Sequence, residues 1–102
     1  MQFTGLWHIQ QMEMWDESYF NMEVQAFIKI EPNLLGSFQF GLVSGQLDGE
    51  VSEDTFHFNW EGNDECDPAS GSGRCKLTDA GELEGNISLF LGDSSSFTAT
   101  RA

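Results

Sequence analysis

Basic residues are scarce in this chain: 4 Lys and Arg stand against 17 Asp and Glu, for a formal net charge of −13. A surface so negative repels phosphate backbones and anionic headgroups, which argues against nucleic acid and membrane surfaces as partners. Long apolar runs are absent, and none approaches the roughly 18 consecutive residues that a membrane-crossing helix requires. Met1 leads into Phe3 and Thr4 with neither a basic n-region nor an apolar h-region, so the expected compartment is the cytoplasm. Only 2 cysteines occur, too few for a disulfide scaffold. Cys66 and Cys75 bracket a polar segment and would be bridgeable if that segment joined paired strands, but a reducing compartment favours free thiols.

What is present is alternation. Apolar and polar residues exchange places with a period of two through nearly the whole chain, the signature of half-buried strands. Met22, Val24, Ala26, Ile28 and Ile30 share one face, with Phe27 the apolar exception on the other, and Pro32 and Asn33 supply a turn. Phe38, Phe40 and Leu42 form the next face, followed by Leu47 and Val51 and a turn at Ser52 to Asp54. Phe56, Phe58 and Trp60 make the most aromatic strand. Cys75 and Leu77 alternate with basic residues, a turn at Asp79 to Gly81 delivers Leu83, Ile87, Leu89 and Leu91, and Phe97, Ala99 and Arg101 end the pattern. In the first strand Phe3, Gly5, Trp7 and Ile9 are in phase and Met12 and Met14 are not, so a bulge is expected near Gln10 and Gln11.

Residues 1–102 thus read as a single all-β domain of about eight strands joined by short connections. At this length roughly two-thirds of the unfolded surface is buried, enough for a modest core. The segment Gly45 to Ser52 repeats at Gly81 to Ser88 as G-x-L-x-G-x-(V or I)-S, and its second glycine, Gly49 or Gly85, falls on the apolar face. A missing side chain there lets a sheet coil sharply and close, which favours a small antiparallel meander barrel. Only Trp15 to Asn21 breaks the alternation, and a short helical cap is expected there.

Gly5-x-Trp7 on the first strand, with an in-phase Arg101 on the last, resembles the calycin barrels, the lipocalin, fatty-acid-binding and avidin group. The resemblance implies that Trp7 closes one end and that Arg101 lies across it, a structural closure. A guanidinium over indole is independently worth roughly 0.5–2 kcal/mol, and first and last strands must be neighbours if the barrel closes. The stretches Met12 to Phe20, Phe38 to Gly45, Trp60 to Gly71 and Leu91 to Arg101 resemble a group of short bacterial proteins, a likeness that implies no activity. The chain is shorter than a lipocalin and has no matching set of biotin ligands, so calycin ligand specificity does not carry over.

The candidate chemistry is modest. Glu61, Asp64, Glu65 and Asp67 place carboxylates within a short acidic loop, as a Ca²⁺ or Mg²⁺ site would require, though not with EF-hand spacing. His8 and His57 both point away from the apolar face, no serine sits in a G-x-S-x-G elbow, and no catalytic residue is assigned. Asn86-Ile87-Ser88 fits the glycosylation sequon but lies inside an expected strand. No cofactor is implied. The remaining lead is aromatic: Trp15, Tyr19 and Phe20 as a cap, and Phe40, Phe58 and Trp60 beneath it, as the site of a small neutral apolar or aromatic ligand, with Gln10, Gln11 and Ser18 near the rim. An eight-stranded barrel is just wide enough to be filled by side chains or to hold one small ligand. The leading expectation is a non-enzymatic barrel that binds a small ligand or a protein partner. The alternatives are a filled, self-associating structural protein, such as a homodimer through outward Phe27 and Val43, and a metal-dependent enzyme using the acidic loop.

Overall fold

The computed structural model describes residues 2–102. Eight antiparallel strands, β1 (Gly5–Met12), β2 (Phe27–Ile30), β3 (Leu35–Phe40), β4 (Val43–Ser52), β5 (Thr55–Asp64), β6 (Asp67–Leu77), β7 (Leu83–Leu89) and β8 (Ser94–Arg101), form a closed barrel in sequence order, with one helical turn, α1 (Glu17–Phe20), between β1 and β2. Each strand pairs with the next, and β1 pairs with β8, so closure leaves no sheet edge to protect.

The period-two pattern becomes an inner and an outer wall. Ile28, Phe38, Leu47, Phe58, Ile87 and Phe97 come from six different strands and are all buried in the shared core. The expected bulge is present: β1 shifts register against β8 between Ile9 and Gln11, leaving Gln10 and Gln11 both exposed while Ile9 and Met12 are both buried. One inserted residue therefore reverses the phase of the strand and returns Met12 to the core.

The aromatic strand β5 sets the width of the barrel. Phe58 pairs in register with Gly49 on β4 and Gly73 on β6, and Trp60 pairs with Leu47 and Gly71. A Cβ at Gly73 would run into the Phe58 ring and come within 2.9 Å of the Asn86 carbonyl oxygen, and one at Gly49 would run into the Phe56 ring. The rings of β5 thus occupy the space their neighbours vacate, and Phe56 and Phe58 meet at 5.7 Å while Trp60 meets Phe38 edge-on at 5.0 Å.

Four sequence expectations are corrected. The second strand begins at Phe27, and Met22 and Val24 are exposed, because Asn21 Oδ1 accepts from Ala26 N at 2.7 Å and closes residues 21–26 into a loop. Val43 is buried rather than outward: the tight turn at Gly41 and Leu42 pairs it with Phe40, so both face inward and Leu42 belongs to the turn. Leu91 is 93% exposed, because β7 ends at Leu89 and Leu91 takes a turn conformation with φ +61°. The acidic loop is a hairpin tip, since β5 runs to Asp64 and β6 starts at Asp67, with only Glu65 and Cys66 between.

At one end of the barrel Trp7 is fully buried, and its indole nitrogen donates to Phe3 O at 2.9 Å. Arg101, its register partner, lays its guanidinium carbon 4.1 Å from the ring centroid and donates to Thr4 O at 3.0 Å and Gln2 O at 2.6 Å. Gly5 makes this possible. Its φ of +136° is costly for an L side chain, and a Cβ there would stand 3.0 Å from the Arg101 Nη1 atom. Replacing Arg101 by alanine is expected to lower the unfolding free energy by about 1–3 kcal/mol, with lysine recovering only part, because a point charge cannot keep two carbonyls and the ring face together. Denaturant titration of both variants checks this, and full recovery by lysine would contradict it.

Candidate functional site

The six aromatic candidates divide between the core and one mouth. Phe20, Phe40, Phe58 and Trp60 are buried in the shared core. Trp15 and Tyr19 are half-buried above them, with Trp15 5.0 Å from Phe40 and stacked on Tyr19 at 6.1 Å. The cap is built locally. Asp16 is the N-cap of α1, its Oδ1 accepting from Ser18 Oγ at 2.7 Å and Tyr19 N at 3.2 Å, which turns the chain so that Phe20 drops into the barrel. The Tyr19 hydroxyl then accepts from Leu42 N at 3.4 Å, and Phe20 O accepts from Gly41 N at 2.9 Å, tying the cap to the β3–β4 turn. Trp15, Tyr19 and Phe40 meet at this mouth, whereas Trp60 packs on Phe38 and Phe58 on Phe56, deeper in the barrel. Of the rim residues, Gln10 donates to Thr100 Oγ1 at 3.1 Å and Ser18 serves the cap, while Gln11 is exposed.

The four carboxylates proposed for a metal are not brought together. Glu61 lies on the outer wall of β5, Asp64 ends that strand in the inward phase opposite Val43, and Glu65 and Asp67 follow at the tip. Among the described residues no group of three or more His, Cys, Asp or Glu side chains could hold a metal ion. His8 and His57 lie in the outward phase of β1 and β5, opposite Thr100 on β8 and Arg74 on β6.

The outer wall carries what sequence inspection passed over. A groove of about 580 Å³ runs over β4 to β7, and a second of about 630 Å³ adjoins it towards β2 and β3, the two sharing Asp48 and Asn59. Strand pairing sets Asp48, Asn59, Ser72 and Ser88 side by side across four strands, with Glu50, His57, Arg74 and Asn86 in the next outward row. None of these eight side chains makes a hydrogen bond or an ion pair among the described residues, even where Glu50, His57 and Arg74 are neighbours. Each looks like an ordinary solvated position in the linear chain. Only the register aligns them, and register was the quantity the alternation could not supply.

The cysteines are free, with Cys66 exposed at the hairpin tip and Cys75 buried at the far end of β6. Burial pushes the Cys75 thiol up to about 12. A native chain should therefore release one equivalent with a thiol reagent at about pH 8 and a second only on unfolding, and Cys66→Ser should abolish the first. Two fast equivalents would contradict the buried placement.

Asp16 provides a second check. The hydroxyl of Ser18 and then the Tyr19 amide hold its carboxyl below its ordinary value of 3.8. A depressed carboxyl stabilises the fold above its unfolded pKa and loses that contribution as pH falls through the lowered value. The Trp15 indole resonance should move as the solution is acidified below about pH 4, and Asp16→Asn, which can still accept from Tyr19, should flatten that response. Identical titrations in both proteins would exclude Asp16 as its source. Comparison of the chain with family models, curated proteins and solved structures finds no match.

Proposed function

We propose that this is a calycin-like barrel whose task is binding rather than catalysis, and that the binding surface is the outer wall of β4 to β7. The observation that carries the reading is the pair of outward rows, eight polar side chains that share a groove and make no hydrogen bond or ion pair among the described residues. Inside, the aromatic residues suited to an apolar ligand are already packed on one another, so a guest there would have to displace its own lining. Outside, a ligand meets preformed donors and acceptors on a rigid sheet, which limits the ordering cost of binding.

Amide chemical-shift mapping during titration with a panel of neutral small molecules tests the assignment. Perturbations centred on Asn59, Ser72 and Asn86 are expected, with tryptophan emission little changed. Perturbations centred on Phe40, Phe58 and Trp60, with tryptophan quenching and movement of Trp15 and Tyr19, would overturn it in favour of a ligand beneath the cap.

A further inference from the structure

We infer that the outer-wall groove takes a neutral, linear polyhydroxylated ligand, an oligosaccharide, laid across the strands. This inference rests on the reading of the outer wall as the binding surface and adds the class of ligand.

The central row explains the shape. Asp48, Asn59, Ser72 and Ser88 are register neighbours on consecutive strands, spaced by the roughly 4.8 Å that separates paired strands. Their short side chains leave a trough, and longer ones, Arg74 on one side and Glu61 on the other, form its banks. The floor is strand backbone, held in place by ladder hydrogen bonds.

The same row sets the chemistry. Hydroxyl and amide groups donate and accept at once, and a carboxylate accepts from two donors, which is what pairs of neighbouring sugar hydroxyls need. One such group per strand spacing offers a repeating contact, on the scale of one sugar unit, to a chain running across the sheet. Sharing of Asp48 and Asn59 between the two grooves extends this track beyond a single unit.

Phe90 is the independent feature. It is 74% exposed just beyond the end of β7, anchored by its amide donating to Ser70 O at 2.7 Å, and it borders the trough together with Asn59, Ser72 and Ser88. The core does not use it. A ring held at the lip of a polar trough gives the apolar C–H face of a pyranose a surface to lie on, while the ring's hydroxyls turn to the row.

Two competing classes fit less well. A net charge of −13 opposes uronic or phosphorylated polymers. An extended peptide gains affinity by adding a strand to an open sheet edge, and the closed barrel offers none.

The test is a titration of the intact protein, followed by amide shifts and calorimetry, with cello-, malto-, chito-, manno- and xylo-oligosaccharides, an oligogalacturonate and oligoglycine. At least one neutral oligosaccharide should shift the trough amides at millimolar concentration, more strongly as its length grows, and the oligogalacturonate should not. Phe90→Ala and Asn59→Ala should each weaken that binding roughly tenfold, about 1.4 kcal/mol. Both positions are exposed, so the melting temperature of the free protein should stay nearly constant and separate lost binding from lost folding. If no neutral oligosaccharide shifts the trough while other small molecules or the peptide do, the ligand class is wrong and the outer-wall reading stands. If every responding compound shifts the barrel interior instead, or nothing in the panels shifts the trough, both are overturned.

Discussion

An eight-stranded barrel has an interior just wide enough for side chains, and β5 spends that width three times over by pointing Phe56, Phe58 and Trp60 inward. The rings fit because the strands on either side give way. Gly49 and Gly73 flank Phe58 in register, and Gly71 lies beside Trp60 opposite Leu47, so two of the three rings have a glycine on at least one side. A missing side chain beside a large ring also lets a sheet curl more tightly around its own contents. The longest strands, β4, β5 and β6, are the ones that share this packing, and they carry the outer groove on their reverse side.

The two ends depend on that packed centre and are finished by different means. One end uses a cation: Arg101 spans Trp7 and two backbone carbonyls, which joins the last strand to the residues before the first. The other uses an interrupted strand pattern, where Asp16 starts a single helical turn and Phe20 descends as a plug beneath Trp15 and Tyr19. Both closures draw on local sequence, a Gly-x-Trp and an N-cap. Neither would have anything to close without the ring-filled interior between them.

The fold was legible because period-two alternation reports which wall a residue faces, and the in-phase glycines Gly49 and Gly85 favoured a barrel, which the strands do close. The cap was legible as the one stretch where alternation failed, and the Trp7 and Arg101 contact because closure makes the terminal strands neighbours. What escaped was whatever depends on pairing. Turn geometry moved Val43 into the core and Leu91 out of it, and a two-residue tip turned an apparent acidic loop into paired strand. The outer row of Asp48, Asn59, Ser72 and Ser88 belongs to the same class, since its members are neighbours across strands and strangers along the chain.

The account rests on the fit between the β5 rings and the glycines beside them, and a double-mutant cycle on Gly73 and Phe58 measures it directly. In the wild-type background a methyl group at position 73 has nowhere to go, and Gly73→Ala should cost about 1–3 kcal/mol of unfolding free energy. In a Phe58→Leu background the ring is gone and the same methyl partly refills the void. The cost of Gly73→Ala should then fall, with a coupling energy on the order of 1 kcal/mol. Equal costs in the two backgrounds would show that the glycine answers to the backbone alone, and would contradict the claim that ring and glycine hold the barrel together.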